Sequence, residues 1–381
     1  MRSFGVDKYG IKIMAKKGVL RLVKIETLSG IAANILKQEM LSLGGEAAVS
    51  RGSITGRAKA TDCLIMGTSA QIERLIFKLR SQPLGLSHLA SRIKECLGNY
   101  ERDRFVVPCG KYRLNLGRRT FLMAVINLTP DSFSGDGLYN KDKNYILDYA
   151  GRLVSEGADI IDVGGESTRP GSRPVPVKEE IERTAPVIKK LAKSIKVPLS
   201  IDTYKPEVAQ RALDAGASIV NNIMGVNLDS KMAKVVRRYN AGLVLMHIKG
   251  RPNTMQVRPQ YNCLLSQILG SLEKAVARAK EFGIAGERII VDPGIGFGKA
   301  LEHNLEILKN LREFKVLGCP ILVGPSRKSF IGKILGVDVN GRKMGTAASV
   351  SLAIANGAHI VRVHDVADMR QVARVCDAIL N

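Results

Sequence analysis

From about residue 118 onward the chain repeats one pattern: a short apolar run rich in β-branched residues, a polar or glycine-rich turn, then apolar residues at helical spacing. Eight such runs occur: FLMAVIN (121–127), DIIDVGG (159–165), PLSIDT (198–203), SIVNNI (218–223), GLVLMHI (242–248), RIIVDPG (288–294), PILVGPS (320–326) and HIVRVHDV (359–366). Between them, sets such as Tyr149, Leu153 and Val154, or Leu305, Leu308 and Leu311, mark one face of a helix. Strands buried on both faces lose polar alternation, so eight near-continuous apolar runs separated by helices predict an α/β fold closed into a parallel (β/α)8 TIM barrel. The competing doubly wound sheet would carry a nucleotide fingerprint in its first turn, and none is present.

The chain before this pattern reads differently. RLVKIET (21–27), EAAVS (46–50) and DCLIMG (62–67) predict strands, and Gly30 to Leu43, 70–80 and 86–98 predict helices. Residues 1–105 therefore read as a small α+β domain of unknown role, and 106–381 as the barrel. The segment PCGKYRLNLG (108–117) predicts a hairpin across the barrel's N-terminal mouth.

Composition narrows the classes. With 381 residues, 45% hydrophobic and 24% charged, the chain suits a barrel of about 250 residues plus a smaller partner domain. No apolar run approaches the roughly 18 residues needed to span a bilayer, and no secretory signal is visible, so no membrane association is expected and a cytoplasmic setting is the default. The six cysteines lack metal-ligand spacing and read as small apolar residues in a reducing compartment. The net charge of +23 is spread over both parts: residues 1–105 carry 18 basic against 9 acidic residues, and 106–381 carry 40 against 26. Without an arginine-rich arm or an RNA-binding signature, nucleic acid is disfavoured as a partner.

Barrel enzymes draw their chemistry from the C-terminal ends of the strands. Here the runs end in, or carry near their ends, Asn127; Asp162; Asp202 and Thr203; Asn221 and Asn222; Met246 and His247; Asp292; the string SRKS (326–329); and Arg362, His364 and Asp365. An acidic residue at a strand end often caps the next helix. A polar group at all eight ends instead describes a polar cup, because buried charges without partners are costly. The acceptors Asp162, Asp202, Asn221 and Asp292 suit the N–H edge of a heterocycle, and Lys328, Arg362 and His364 suit an anion. The string GIGFGK (294–299) lacks the full phosphate-loop pattern and reads as a tight loop that brings backbone close to a ligand and presents Phe297 as an apolar wall.

The strings NLTPDSFSGDG (127–137), DVGGESTRPGS (162–172), IDT (201–203), LMHIKGRPNTMQ (245–256), DPGIGFGK (292–299), GPSRKSFIG (324–332) and RVHDV (362–366) resemble dihydropteroate synthase, in the family's order, over about residues 108–381. The resemblance implies condensation of a dihydropterin methyl diphosphate with 4-aminobenzoate, giving dihydropteroate and diphosphate in folate biosynthesis. Asp202, Asn221, Met246, Asp292 and Lys328 are implied as the pterin pocket. Asn127, Arg362 and His364 are implied as the diphosphate site, with Asn127 reaching Mg2+. Thr168, Arg169, Pro170, Phe297 and Ser329 are implied as the 4-aminobenzoate site, with Asp136, Arg169 and Lys328 as catalytic residues. A homodimer and inhibition by sulfonamides, which mimic the amine, are further expectations. The chain departs from the family in Asn222, where Asp is usual, in a longer first loop, and in the N-terminal domain. The alternatives, a methyltetrahydrofolate–corrinoid methyltransferase-like enzyme or a non-catalytic pterin-binding barrel, would have no need of the SRKS, Arg362 and His364 cluster.

Overall fold

The computed structural model describes residues 1–129, 138, 142–167, 174–250, 254–256 and 258–381. The chain divides into two compact units, Met1–Asn99 and Tyr100–Asn381. This contact boundary lies within a helix, ahead of the change of pattern near residue 105.

The first unit comprises α1 (Lys8–Ala15), β1 (Leu20–Ser29), α2 (Gly30–Leu41), β2 (Glu46–Val49), α3 (Arg51–Ile54), β3 (Ala60–Thr68), α4 (Ser69–Leu79) and most of α5 (Leu86–Glu101). The strands form an antiparallel sheet in the order β1-β3-β2. Leu36 and Met40 of α2, Ile72, Leu75 and Leu79 of α4, and Ala90 and Ile93 of α5 bury against Ala47, Cys63 and Ile65 of the sheet. The α4 start is fixed by a capping box: the Thr68 hydroxyl accepts from the Gln71 N–H, while Gln71 Oε1 accepts from the Thr68 N–H. Helices α1 and α3 are additions to the sequence pattern, and α1 buries no residue that periodicity could register.

The second unit opens with a hairpin, β4 (Phe105–Cys109) and β5 (Tyr112–Leu116), and then forms the barrel. The barrel strands are β6 (Phe121–Asn127), β7 (Ile160–Gly164), β8 (Leu199–Asp202), β9 (Ile219–Asn222), β10 (Gly242–Met246), β11 (Ile289–Asp292), β12 (Leu322–Val323) and β13 (Ile360–Val363). Each lies inside one of the eight expected runs. The helices after them are α6 (Lys143–Ser155), α7 (Val177–Ser194), α8 (Pro206–Asp214), α9 (Ser230–Arg238), α10 (Leu264–Glu281), α11 (Leu301–Lys309), α12 (Ser329–Leu335), α13 (Lys343–Ala355) and α14 (Val366–Leu380). The parallel sheet runs β11-β10-β9-β8-β7-β6-β13-β12, and a bridge from Val291 to Ile321 joins its two ends into a barrel.

One side of each strand, including Leu122, Ile161, Ile201, Val220, Leu243 and Val361, packs against the helices. The other side fills the bore. At the N-terminal end Met123, Ile160, Ile219, Val244, Ile290, Leu322 and Ile360 form an apolar layer, and Phe105, Val107, Leu114 and Leu116 of the hairpin close it from below. Each such side chain contributes about 1.5–3 kcal/mol by leaving water. The plug is the hairpin expected at 108–117, with its first strand beginning earlier, at Phe105. Of the six cysteines, Cys63, Cys109 and Cys319 are buried, whereas Cys263 is exposed, so the small-apolar reading does not extend to all of them.

Candidate active site

Side chains alternate along a strand, so the residue two positions beyond each member of the apolar layer enters the bore one layer higher. After Ile160, Ile219, Val244, Ile290 and Ile360 those residues are Asp162, Asn221, Met246, Asp292 and Arg362. On β8, Leu199 and Ile201 face the helices, which leaves Ser200 and Asp202 for the bore. The polar cup is thus the second layer of the barrel, directly above an apolar floor.

The centre of this layer is one guanidinium. Arg362 donates from Nε to Asp162 Oδ2 at 2.7 Å and from Nη2 to Asp202 Oδ2 at 2.9 Å. Asn221 Nδ2 donates to the same Asp162 oxygen at 3.1 Å. Arg362, expected beside the diphosphate, therefore also sits on Asp202, expected beside the ring. Asp162 Oδ1, Ser200 Oγ and Asp202 Oδ1 are buried with no protein partner among the described residues. Buried polar atoms are rarely left so, which marks this layer as the place a polar ligand completes.

Burial sets the electrostatics. It pushes the Asp202 carboxyl up to about 7, opposed by Arg362 and reinforced by Asp162. It pushes Asp292 up to about 6, opposed by the Gly294 N–H, which donates to Asp292 Oδ1 at 2.7 Å. It draws Lys328 down to about 8, with Arg362 adding repulsion. These groups are held close to their protonation equilibria, where a ligand's donors and acceptors can select the charged form.

Above the polar layer, Ile223, Met246, Ile248 and Met255 are buried in an apolar shelf with Tyr204, Met224, Val226 and Phe297 packed against it. The Lys328 ammonium lies 4.1 Å from the centroid of the Phe297 ring. Met246 and Phe297, assigned to different substrates from the sequence, thus share one surface, with Lys328 at its edge.

The glycine string owes its composition to the protein itself. Gly294, Gly296 and Gly298 all have positive φ, at 73°, 81° and 66°. A Cβ on Gly294 would lie 1.9 Å from the His247 carbonyl oxygen, and one on Gly298 2.4 Å from that of Lys249. The close approach is to the loop after β10. Gly294→Ala is accordingly expected to lower stability by about 2 kcal/mol or more, read as the urea midpoint, because the loop carrying it must move.

Beneath this loop is a residue the sequence reading left without a role. Lys299 is buried, and its Nζ donates to the Phe297 carbonyl at 2.9 Å and meets His247 Nδ1 at 3.1 Å. Burial pulls the lysine down to about 7 and His247 down to about 3, so the imidazole is neutral and acts as the acceptor. His247 belongs to this support and faces away from the bore. The only signal in the sequence was a lysine closing the glycine string.

The remaining candidates take varied positions. Asn127 ends β6 beside Gly164, where an added Cβ would lie 3.7 Å from Asn127 Oδ1 and 3.9 Å from Asp202 Oδ2. His364 Nδ1 lies 2.9 Å from Ser326 Oγ. Arg327 holds a positive φ of 55°, fixed by its Nε bond to Asp365 at 3.0 Å and by Arg342 Nη1 donating to its carbonyl at 2.9 Å. That strained turn presents Lys328 and the exposed Ser329. Asn222 turns away from the bore, its Oδ1 accepting from the Met224 N–H at 2.9 Å, so the charge missing there is not missing from the cup. Asp136, Thr168, Arg169 and Pro170 lie outside the described residues.

A family model described as pterin binding enzyme matches residues 123–364. The dihydropteroate synthase of Synechocystis sp. is 47% identical over 274 residues, covering 72% of this chain and 94% of its own. The probable bifunctional folylpolyglutamate synthase/dihydropteroate synthase of Halobacterium salinarum is 40% identical over 369 residues, 97% of this chain but 44% of that one, so the likeness there reaches into the N-terminal unit. Among solved structures, Xanthomonas albilineans dihydropteroate synthase with 4-aminobenzoic acid superposes with a TM-score of 0.67 at 36% identity, covering 73% of this chain and 98% of that one.

Proposed function

The chain belongs to the dihydropteroate synthase family, and from that premise we propose how its own residues divide the reaction. The enzyme is a transferase that condenses (7,8-dihydropterin-6-yl)methyl diphosphate with 4-aminobenzoate, forming a C–N bond and releasing diphosphate. The observation that carries the assignment is the polar bore layer, with buried Asp292 and Asp162 and half-buried Asp202 at its walls, Arg362 at its centre and the apolar shelf above.

In this reading the ionised Asp292 accepts from the N–H edge of the pterin, and Asn221 and Asp202 complete that edge. Lys328 donates to the ring's oxygen and nitrogen acceptors, while Met246 and the shelf cover its face. The ring fits a pocket that is apolar on its faces and polar at its rim. Asn127, Arg362 and His364 hold the diphosphate and neutralise the charge that develops on it as the C–O bond breaks. Thr168, Arg169, Pro170, Phe297 and Ser329 hold the 4-aminobenzoate, whose nitrogen takes the methylene carbon and then loses a proton. Asp136, Arg169 and Lys328 are the groups at the reacting atoms.

Mg2+ belongs to the same proposal. Among the described residues no group of three or more His, Cys, Asp or Glu is arranged to hold a metal. The Asn127 side-chain oxygen beside Gly164 nevertheless suits a hard cation that takes most of its ligands from phosphate and water. Bound there, Mg2+ would supply Lewis-acid stabilisation of the leaving diphosphate.

No helix among the described residues is long and apolar enough to cross a membrane. A cytoplasmic enzyme, competed for by sulfonamides, completes the reading. A homodimer is supported by exposed Leu335, Met344, Leu352, Val375 and Ile379 on α12, α13 and α14.

The deciding assay is dihydropteroate formation from the two purified substrates, in magnesium and then in EDTA. Product is expected with magnesium, and a loss of about tenfold or more is expected on chelation; folded protein that makes none in magnesium overturns the reading. Arg169→Ala should keep pterin affinity within about twofold and raise the KM for 4-aminobenzoate by about tenfold or more. The reverse pattern would mean that the two pockets are exchanged.

A further inference from the structure

Asp365 stands at the N-cap of α14, where an aspartate ordinarily accepts from an N–H of the first helical turn, yet among the described residues it makes no such bond. Its carboxylate is committed to Arg327 instead. Arg327 Nε donates to Asp365 Oδ2 at 3.0 Å and Nη2 to Asp365 Oδ1 at 2.5 Å, a two-pronged pair whose side chains are 21% and 10% exposed. One residue back along each segment, Ser326 Oγ accepts from the His364 N–H at 3.2 Å. Both contacts join residues 38 apart, the spacing at which β12 and β13 pair through Leu322 with Ile360 and Val323 with Val361. Side chains thus continue the register of the two strands past the end of their backbone ladder, as far as the residue before Lys328.

Arg327 needs that hold, because its φ of 55° lies in the left-handed region that disfavours any residue with a Cβ. Its N–H donates to Thr346 Oγ1 at 3.0 Å and its carbonyl accepts from Arg342 Nη1 at 2.9 Å, so the backbone is tied to the start of α13 and the side chain to the start of α14. Lys328 follows in extended backbone, with φ −66° and ψ 153°. The reversal at Arg327 therefore sets the direction in which the lysine leaves the turn. It runs along the glycine loop, where a Cβ on Gly296 would lie 3.1 Å from Lys328 Cδ, and ends over the Phe297 ring. There the charges of Arg362, Asp292 and Asp202 act on the ammonium.

We propose that Asp365 is a positioning residue for Lys328: by clamping Arg327 in left-handed backbone it holds the turn that aims the ammonium into the bore, and so sets affinity for the pterin without touching it. This rests on the assignment of Lys328 to the pterin pocket.

The test is fluorescence titration of the full chain with the pterin diphosphate, with urea unfolding in parallel to show that each variant is folded. Asp365→Ala is expected to weaken affinity by about fivefold or more. Adding Arg327→Gly to it should restore affinity to within about twofold of wild type, because glycine takes a positive φ without a clamp. In a Lys328→Ala background, Asp365→Ala should change affinity by less than about twofold, since its effect runs through an ammonium that is no longer there; a purely structural role would weaken binding equally in both backgrounds. Asp365→Asn, which keeps the shape and one acceptor, should show the same pattern at smaller size and carries the test alone if Asp365→Ala does not fold. Wild-type affinity in Asp365→Ala, no rescue by Arg327→Gly, or an undiminished loss in the Lys328→Ala background overturns the proposal. Wild-type affinity in Lys328→Ala overturns the underlying assignment instead.

Discussion

Asp292→Asn is expected to lower kcat/KM for the pterin diphosphate by about a thousandfold, with little loss of folding stability. Asp292 ends β11, is 5% exposed, and receives the Gly294 N–H at 2.7 Å. An ionised carboxylate only accepts hydrogen bonds, which matches a ring edge that only donates; an amide replaces one acceptor with an NH2 that opposes the ring's donors. Losing one partner of a buried, charge-assisted pairing costs about 2–5 kcal/mol, and 4 kcal/mol is close to a thousandfold.

Folding responds differently. The folded carboxyl is raised from 3.8 to about 6, chiefly by burial. The native state therefore binds the proton more tightly than the unfolded chain, and the ionised group burdens folding above about pH 6, a burden relieved as pH falls towards 4. Removing the charge removes that burden, and Asn can still accept from Gly294. For the same reason wild-type affinity for the pterin should weaken as pH falls through 6, where the carboxylate protonates. Fluorescence titration of a pterin ligand, with urea unfolding in parallel, reads both effects; unchanged pterin affinity in Asp292→Asn would remove Asp292 from the pocket.

Arg362→Met is expected to act on both stability and activity. The guanidinium bonds Asp162 at 2.7 Å and Asp202 at 2.9 Å. Without it, two carboxylates face each other in the bore, and breaking a buried pair in this way costs about 3–5 kcal/mol. The Asp202 carboxyl already stands at about 7 with Arg362 in place, so removing the arginine raises it further. The penalty should thus be largest above pH 7 and shrink as pH falls through 7, where Asp202 takes up its proton. Arg362→Met combined with Asp162→Asn and Asp202→Asn should recover most of the stability and none of the activity, since the cation proposed to face the diphosphate is still missing. Equal urea midpoints for wild type and Arg362→Met at pH 7 would show that the central ion pairs contribute no net stability.

The barrel was legible because its strands carry their signal locally. A run such as FLMAVIN is apolar on both sides, and every observed barrel strand falls inside its expected run. The hairpin plug was legible for a similar reason, as a short strand pair with Gly110 at its turn. Helix α1 was not, because it buries nothing. Among the site residues, Asp162, Asp202, Asn221, Asp292 and Arg362 were visible as polar positions on otherwise apolar strands.

Their partners were not visible. That Arg362 reaches Asp162, some 200 residues earlier in the chain, depends on the pairing of the last strand, β13, with the first, β6. Lys299 sits under its loop through contacts with His247, and Lys205 gathers Glu166, Val175 and Glu180 from two other segments.

By itself the sequence determined which residues alternate into the bore and which strands follow one another, because periodicity and turn chemistry are properties of neighbours along the chain. Which polar groups meet follows from the three-dimensional fold, because closing the barrel sets the stagger between strands and so brings distant side chains to one level. Charge pairing, burial and the shared surface of Met246 and Phe297 are consequences of that closure.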